Sequence, residues 1–125
     1  MIVKNIRTGG KYKVEVKKTL RERTLGLSRR GSLADDAGIL MDFGYSRRHG
    51  IWMWKMLFPL DIVFVDEKRR VVTVQSARPI TSDPKTWKVY YPKTAVRYVL
   101  ELNTNSGFSE GDTLEWKDSA RLSTG

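Results

Sequence analysis

Apolar, β-branched and aromatic residues fall in short runs along this chain, and several of them alternate with charged positions. Tyr12, Val14 and Val16 alternate with Lys13 and Glu15, which is the period of two that predicts a half-buried strand. Similar runs predict eight short strands, at residues 2–6, 12–16, 39–43, 51–55, 62–66, 71–77, 96–102 and 113–116. Because helical crossovers are lacking between these runs, the pattern favours a mostly β fold, a single compact β-sandwich or barrel, over a parallel α/β sheet.

Local signals predict how some of these strands are joined. Gly9 and Gly10 lie between the first two strands and predict a hairpin, and the charged run 66–70 predicts a second hairpin turn. Thr19 precedes Glu22 by three residues, the spacing of a capping box, and apolar positions follow on one helical face. We therefore expect one short helix near the N-terminus, over residues 19–27.

The length of 125 residues is that of one domain, which we place at residues 1–118 with a frayed tail at 119–125. The longest connection, residues 79–94, holds three prolines together with Trp87, Tyr90 and Tyr91. Long loops in compact domains often carry function.

Several classes of chemistry are excluded by composition. The chain has no cysteine, so disulfides, thiolate metal sites and cysteine nucleophiles are ruled out. His49 is the only histidine, and its loop, 44–50, reads as a flexible segment that would leave the ring on the surface. No phosphate-binding loop, dinucleotide fingerprint or nucleophile elbow is found, so we predict no catalytic residue, no metal and no cofactor.

The N-terminal residues give an expectation about location. Lys4 and Arg7 interrupt the apolar stretch that a signal peptide needs, so a cytoplasmic protein is expected. No apolar run approaches the roughly 20 residues that cross a bilayer, so no membrane span is expected.

Charge is the strongest compositional signal. Lysine and arginine number 23 against 14 acidic residues, a formal net charge of +9, and most of the excess lies in residues 1–50. A field of this sign attracts polyanions such as nucleic acid or an anionic membrane surface, but it also serves solubility or thermostable ion-pair networks. The basic residues that we assign as nucleic-acid candidates are Lys17, Lys18, Arg21, Arg23, Arg29, Arg30, Arg47 and Arg48.

The central block is the most distinctive part of the sequence. An aromatic–Met pair at Trp52-Met53 is followed by Pro59-Leu60-Asp61 and by the run 62–66, and the segments 23–27, 38–43, 98–102 and 111–112 complete the pattern. In these segments the chain resembles the bacterial and archaeal family called domain of unknown function 192. The resemblance implies a compact β-rich domain and implies no activity.

The chain departs from the family at one point in the central block. It reads Met53-Trp54-Lys55-Met56 where the family typically shows Met-Lys-Asn-Thr, so two polar side chains are lost or shifted. On one strand face, Trp52, Trp54 and Met56 would form either a platform that stacks nucleobases or an apolar ligand, or simply part of the core.

Two carboxylates lie within apolar strands. Asp61 must cap a turn, pair with a cation or bind a ligand, because an unpaired buried charge is costly. Glu101 lies between Leu100 and Leu102 and either lines a cavity with Asp61 and Lys55 or faces solvent.

Three functions follow from these residues. The first is a non-enzymatic binding domain with an apolar and aromatic pocket for a small molecule or peptide. The second is a nucleic-acid-binding accessory protein that uses the basic N-terminal half, and the third is an enzyme with a carboxylate-lined cavity. The residues that we assign to the pocket are Met41, Phe43, Trp52, Trp54, Lys55, Asp61, Tyr98 and Glu101.

Overall fold

The computed structural model describes residues 1–19, 31–53 and 56–118, which form two β-sheets. The strands are β1 (Ile2–Asn5), β2 (Lys11–Lys17), β3 (Ala37–Arg47), β4 (Ile51–Trp52), β5 (Leu60–Val65), β6 (Val71–Ala77), β7 (Val89–Tyr90), β8 (Val96–Asn103) and β9 (Leu114–Glu115). Within these ranges the only helical element is a 3-10 turn, Pro84–Thr86. The mostly β class is confirmed, whereas the predicted helix falls on residues 20–27, outside the described residues.

The large sheet has seven strands in the order β6-β5-β8-β3-β2-β1-β9 and curls into a half-barrel. Its two edges meet at one end, where Arg70 bridges Thr113 and the Val71 N–H donates to the Asp112 carbonyl at 2.8 Å. Among the described residues neither a sandwich nor a fully closed barrel is formed, so that part of the expectation is wrong. The described parts of the edge strands meet only at this end, and β4 and β7 pair with each other in a separate small sheet.

Both predicted hairpins are present. β1 and β2 are antiparallel, and their turn is closed by the Asn5 N–H donating to the Gly10 carbonyl at 2.9 Å. β5 and β6 are also antiparallel, and the Asp66 carboxylate between them accepts the Lys68 and Arg70 backbone N–H groups at 2.9 and 3.0 Å. Asp66 therefore shapes a turn, as expected.

One connection is not visible in the sequence pattern. β2 pairs with β3 in parallel, with Lys13 opposite Ala37 and Lys17 opposite Met41. A parallel pair needs a long crossover, and residues 18–36 supply it. β3 is also longer than expected, because it continues past Phe43 to Arg47.

The curled sheet buries apolar side chains on both faces. The inner core lies inside the curl and includes Val63 and Leu100, whereas the outer core includes Ile62 and Phe64, which alternate with them along the strands. The two-stranded ribbon of β4 and β7 covers part of the outer core. Double-sided burial explains why β5 is apolar at nearly every position rather than alternating.

Candidate functional site

The ribbon of β4 and β7 has one buried and one exposed face. Ile51 pairs with Tyr90 and both side chains are buried in the outer core, whereas Trp52 pairs with Val89 and both point away from it. Trp52 is 57% exposed and Val89 is 42% exposed. Because strand side chains alternate between faces, burial of Ile51 and Tyr90 forces their neighbours outward. The interpretation of Trp52 as a core residue is therefore wrong.

Gly50 extends the exposed face by one residue. A Cβ atom at this position would lie 2.6 Å from the Tyr91 ring and 2.7 Å from Val89 Cγ1. The absence of a side chain thus lets the Tyr91 ring, which is 50% exposed, lie across the backbone of Gly50. We call the surface formed by Gly50, Trp52, Val89 and Tyr91 the ribbon surface.

A basic side chain borders the ribbon surface. Arg48 Nε donates to the Pro92 carbonyl at 3.0 Å, and its guanidinium lies 5.9 Å from the centre of the Tyr91 ring. Lys88 is also exposed, but its Nζ lies 4.6 Å from the centre of the Tyr90 ring, which belongs to the buried face of the ribbon. The result is an exposed aromatic surface with the Arg48 guanidinium at its rim.

His49 lies beneath this rim rather than on the surface. It is only 8% exposed, its ring stacks on Phe43 with centroids 3.9 Å apart, and Tyr45 contacts it edge-on. Its Nε2 lies 3.0 Å from the Tyr45 carbonyl. The expectation of a surface histidine in a flexible loop is wrong, because the extension of β3 to Arg47 folds the segment over the outer core.

The residues predicted to share one pocket are divided by the large sheet. Met41 and Phe43 pack in or against the outer core, whereas Tyr98 belongs to the inner core. Glu101 lies opposite Ile39 and Ile62, on the outer-core face. Trp54 and Lys55 lie outside the described residues. No single pocket therefore joins the predicted residues that the structure describes.

Asp61 lies on the other face from Glu101 and has a structural role. Its Oδ2 accepts the Ser106 N–H at 3.0 Å and the Ser106 hydroxyl at 2.6 Å, and its Oδ1 accepts the Ser76 hydroxyl at 3.4 Å. These bonds tie the loop after β8 to β5. The cavity that Asp61 and Glu101 were expected to share is not formed.

Glu101 is buried among apolar side chains and is 3% exposed. No hydrogen bond or ion pair of its carboxylate is found within the described ranges, and desolvation raises its pKa from 4.5 to about 7. The expectation that Glu101 faces solvent is wrong, since its strand is covered on both faces. This carboxyl group exchanges a proton near neutral pH.

Only some of the residues predicted to form a basic face lie in the described part of the chain. Lys17 and Lys18 lie at the end of β2, with Lys17 opposite Met41, whereas Arg47 lies six residues further along β3. Arg21, Arg23, Arg29 and Arg30 lie outside the described residues. Of the four predicted residues that the structure describes, Arg48 is the one that it places beside the Tyr91 ring of the ribbon surface.

Arg69 is held by structural contacts. Its guanidinium lies 4.0 Å from the centre of the Trp116 ring and donates to the Trp116 carbonyl and to Asp118. Of the neighbouring residues Arg69 and Arg70, Arg69 thus contributes to the stability of the fold.

A polar cluster that sequence reasoning missed joins the two ends of the chain. The Asp112 carboxylate accepts Arg7 Nε at 2.6 Å, Asn5 Nδ2 at 2.9 Å and the Ser109 N–H at 2.8 Å. These hydrogen bonds, led by that of Arg7, lower the pKa of Asp112 to about 2. Because Asn5 and Arg7 lie more than a hundred positions before Asp112, no local pattern in the sequence indicated this cluster.

None of the predicted pocket residues lines the one cavity found, of about 560 Å³, in the described part of the chain, although its lining residue Ser76 donates to Asp61. It is lined by Pro59, Ser76, Ala77, Arg78, Pro79, Thr81, Thr86 and Thr104. Its far wall is the long connection that the sequence singled out, but no motif indicated Arg78.

Among the residues described, no group of three or more potential metal ligands is found. Nor does that part of the chain contain a helix long and apolar enough to cross a membrane.

Two solved structures share this fold. A protein from Sinorhizobium meliloti 1021, provisionally designated a transcription regulator, superposes with a TM-score of 0.77 and 29% identity, covering 91% of this chain and 89% of that one. A protein of unknown function from Novosphingobium aromaticivorans has a TM-score of 0.78 and 28% identity, covering 92% and 82%.

Curated relatives are found in species of Thermococcus and Pyrococcus. The UPF0127 protein of Thermococcus gammatolerans is 36% identical over 70 residues, and that of Pyrococcus abyssi is 35% identical over 72 residues. These alignments cover 53% and 54% of this chain but only 41% and 53% of the relatives' own lengths. A family model described as "Uncharacterized ACR" matches residues 2–116. The chain therefore belongs to this family, the domain of unknown function 192.

Proposed function

We propose that this protein is a non-enzymatic binding domain that holds single-stranded nucleic acid on the ribbon surface. The observation that carries the proposal is the joint exposure of Trp52 and Tyr91 on one face of the ribbon, with Arg48 beside Tyr91. Large aromatic residues at such exposure are costly to keep in water, and a surface that retains several of them marks an interaction site.

The chemistry of the surface favours unpaired bases. Every base offers a flat π-face, and stacking on an aromatic side chain is worth roughly 1–3 kcal/mol per base. Gly50 has no side chain and Val89 has a short one, so neither projects between the two rings and a strand of bases can lie across them. In a duplex the base faces already stack on each other, so they are not available to stack on Trp52 and Tyr91.

The charge of the protein favours the phosphates of the same ligand. The chain carries a net charge of +9, and the exposed Arg48 lies beside the Tyr91 ring. The nearest acidic side chain along β3, Asp42, is already paired with Arg97 at 3.0 Å. A polyanion approaching the ribbon surface therefore meets Arg48, which forms no ion pair with a carboxylate of the described residues.

Similarity to the Sinorhizobium protein supports this choice. That protein's provisional designation is transcription regulator, and the alignment includes most of both chains. The pocket alternative has less support, because the large sheet separates the residues that were assigned to it.

The test is fluorescence anisotropy of labelled oligonucleotides of about 12 nucleotides, single-stranded and duplex, at about 50 and 200 mM salt. We expect the single strand to bind more tightly. Replacement of Trp52 or Tyr91 by alanine should weaken single-strand binding by about 5- to 150-fold, the affinity equivalent of one lost stacking contact.

Matched controls separate stacking from general charge. Trp87 is a tryptophan of similar exposure, 60%, on the connection outside the ribbon, so Trp87→Ala should leave binding unchanged. Arg48→Ala should reduce both the affinity and its dependence on salt. Equal effects of Trp52→Ala and Trp87→Ala would overturn the proposal. So would binding of vesicles rich in anionic lipid by a protein that ignores the oligonucleotides.

A further inference from the structure

A second site is suggested by the free edge of the large sheet. β6 is the terminal strand, paired with β5 on one side. On its other side, Val71 exchanges hydrogen bonds with Asp112 and Gly111, each at 2.8 Å, which closes only the beginning of the strand. From Val74 to Ala77, no other backbone hydrogen bond reaches this edge from the residues described here. An open edge is a template for one more strand.

The open edge leads directly into the cavity of about 560 Å³. Ser76 and Ala77 belong to both features, and Arg78, the residue after β6, also lines the cavity. Pro59 and Pro79 give the walls an apolar character, and the volume is that of ordinary ligand pockets. A strand that pairs with the end of β6 would place its next side chain in this space.

Arg78 supplies the cavity with a positive charge. Its backbone N–H donates to the Tyr90 hydroxyl at 3.1 Å, which fixes the main chain, while the side chain is exposed. Within the described part of the chain, its guanidinium has no carboxylate partner. A guanidinium at the mouth of an apolar cavity is suited to a bidentate contact with a carboxylate.

We propose that the edge of β6 and the adjoining cavity bind an extended acidic peptide segment of a partner protein. The peptide adds as a strand beside residues 74–77, and a glutamate or aspartate of the peptide reaches Arg78. Main-chain hydrogen bonds and alternate side-chain pockets are the usual basis of such strand addition. The net charge of +9 opposes a second copy of this chain as the occupant and favours an acidic one.

The probe is a labelled peptide of about eight alternating valine and threonine residues that ends in glutamate, compared with a peptide that ends in lysine. Anisotropy measures affinity, and NMR amide shifts locate the site. We expect the glutamate peptide to bind about tenfold or more tightly than the lysine peptide. It should shift the amides of residues 74–78 and the indole N–H of Trp87, which donates to the Thr81 carbonyl at the cavity wall.

A charge reversal makes the test specific. Arg78→Glu should reverse the preference to the lysine peptide, whereas Lys11→Glu, on exposed β2, should leave it unchanged. The proposal is overturned if both peptides bind equally, if the shifts lie away from β6, or if sedimentation reveals a dimer paired through β6. Because Trp52 and Tyr91 lie outside this site, the outcome is independent of nucleic-acid binding.

Discussion

Burial raises the pKa of the Glu101 carboxyl group from 4.5 to about 7, which brings it into the neutral range. Its neighbours across the strands are Ile39 and Ile62, and among the described residues no hydrogen bond or ion pair compensates its charge. Between pH 4.5 and about 7 the unfolded chain ionises at Glu101 while the folded chain keeps the proton. Unfolding therefore releases a proton, and stability falls as pH rises through this window.

We expect the free energy of unfolding to fall by about 3 kcal/mol between pH 5 and 8 on account of Glu101, since each pKa unit is worth about 1.4 kcal/mol. Glu101→Gln should remove this slope. Urea unfolding at four pH values measures it, and the difference between the two proteins isolates the contribution of Glu101. If the free energies of unfolding of the two proteins changed in parallel with pH, Glu101 would be ionised at neutral pH in the folded state.

Asp112 affects the stability of the fold in strongly acidic solution. Its pKa is lowered to about 2 by Arg7 and its other donors, so its contribution is complete above pH 4 and is lost as pH falls toward 2. The two carboxyl groups together predict greatest stability in mildly acidic solution.

At the scale of elements, the contact between β3 and β8 depends on the absence of a side chain at Gly38. Gly38 pairs with Leu102, and a Cβ atom there would lie 2.5 Å from Leu102 Cδ2 and 2.7 Å from the Glu101 carbonyl oxygen. The second contact is with backbone and cannot be relieved by a change of rotamer.

We expect Gly38→Ala to lower the free energy of unfolding by about 1–3 kcal/mol, the usual cost of forcing extra volume into a packed core. Gly31→Ala is the matched control, because a Cβ atom there meets nothing within 4 Å. Denaturant midpoints of the two variants give the comparison. Equal midpoints would mean that β3 and β8 accommodate the added Cβ atom without a loss of stability.

The elements also show what a sequence can predict. Alternation at Tyr12, Val14 and Val16 identified β2, since one face of this strand is exposed, and the charged run 66–70 identified a hairpin. The parallel pairing of β2 with β3 was not predicted, because strand direction depends on a distant crossover and not on local pattern. β7 was missed since it is two residues long and lies among prolines.

The same limits apply to the candidate sites. Trp52 and the 79–94 connection could be named as candidates, because aromatic residues and long loops are visible in the sequence, but whether Trp52 is exposed or buried was left open. Their meeting on one ribbon could not, since it depends on the pairing of Trp52 with Val89 across 37 positions. Arg78 carries no local signal at all, and only the cavity distinguishes it from other surface arginines.

At the scale of the whole molecule, charge has two opposing effects on folding. The excess of 23 basic over 14 acidic residues makes the compact state repel itself, while surface ion pairs such as Lys93–Glu110 at 2.6 Å and Arg70–Asp66 at 3.9 Å attract. Exposed pairs contribute only about 0–1 kcal/mol each. Repulsion among nine uncompensated charges acts over the full Debye length and should prevail.

We therefore expect the melting temperature to rise by a few degrees when NaCl is raised from about 10 to 150 mM, because the Debye length shrinks from about 30 to 8 Å. Calorimetry measures this shift. Binding of single-stranded nucleic acid should weaken over the same range, since counterion release opposes it. The two salt effects have opposite signs, because the same excess charge attracts a polyanion and destabilises the folded state.

A variant with less charge tests which effect dominates. Lys11 and Lys13 are exposed on β2, and Lys11 lies directly opposite Lys4, so like charges face each other across the strands. Lys11→Glu together with Lys13→Glu lowers the net charge from +9 to +5, since each substitution removes two charges. This variant should melt higher at low salt and gain less from added NaCl. A melting temperature that falls with salt in both proteins would show that ion pairs outweigh repulsion.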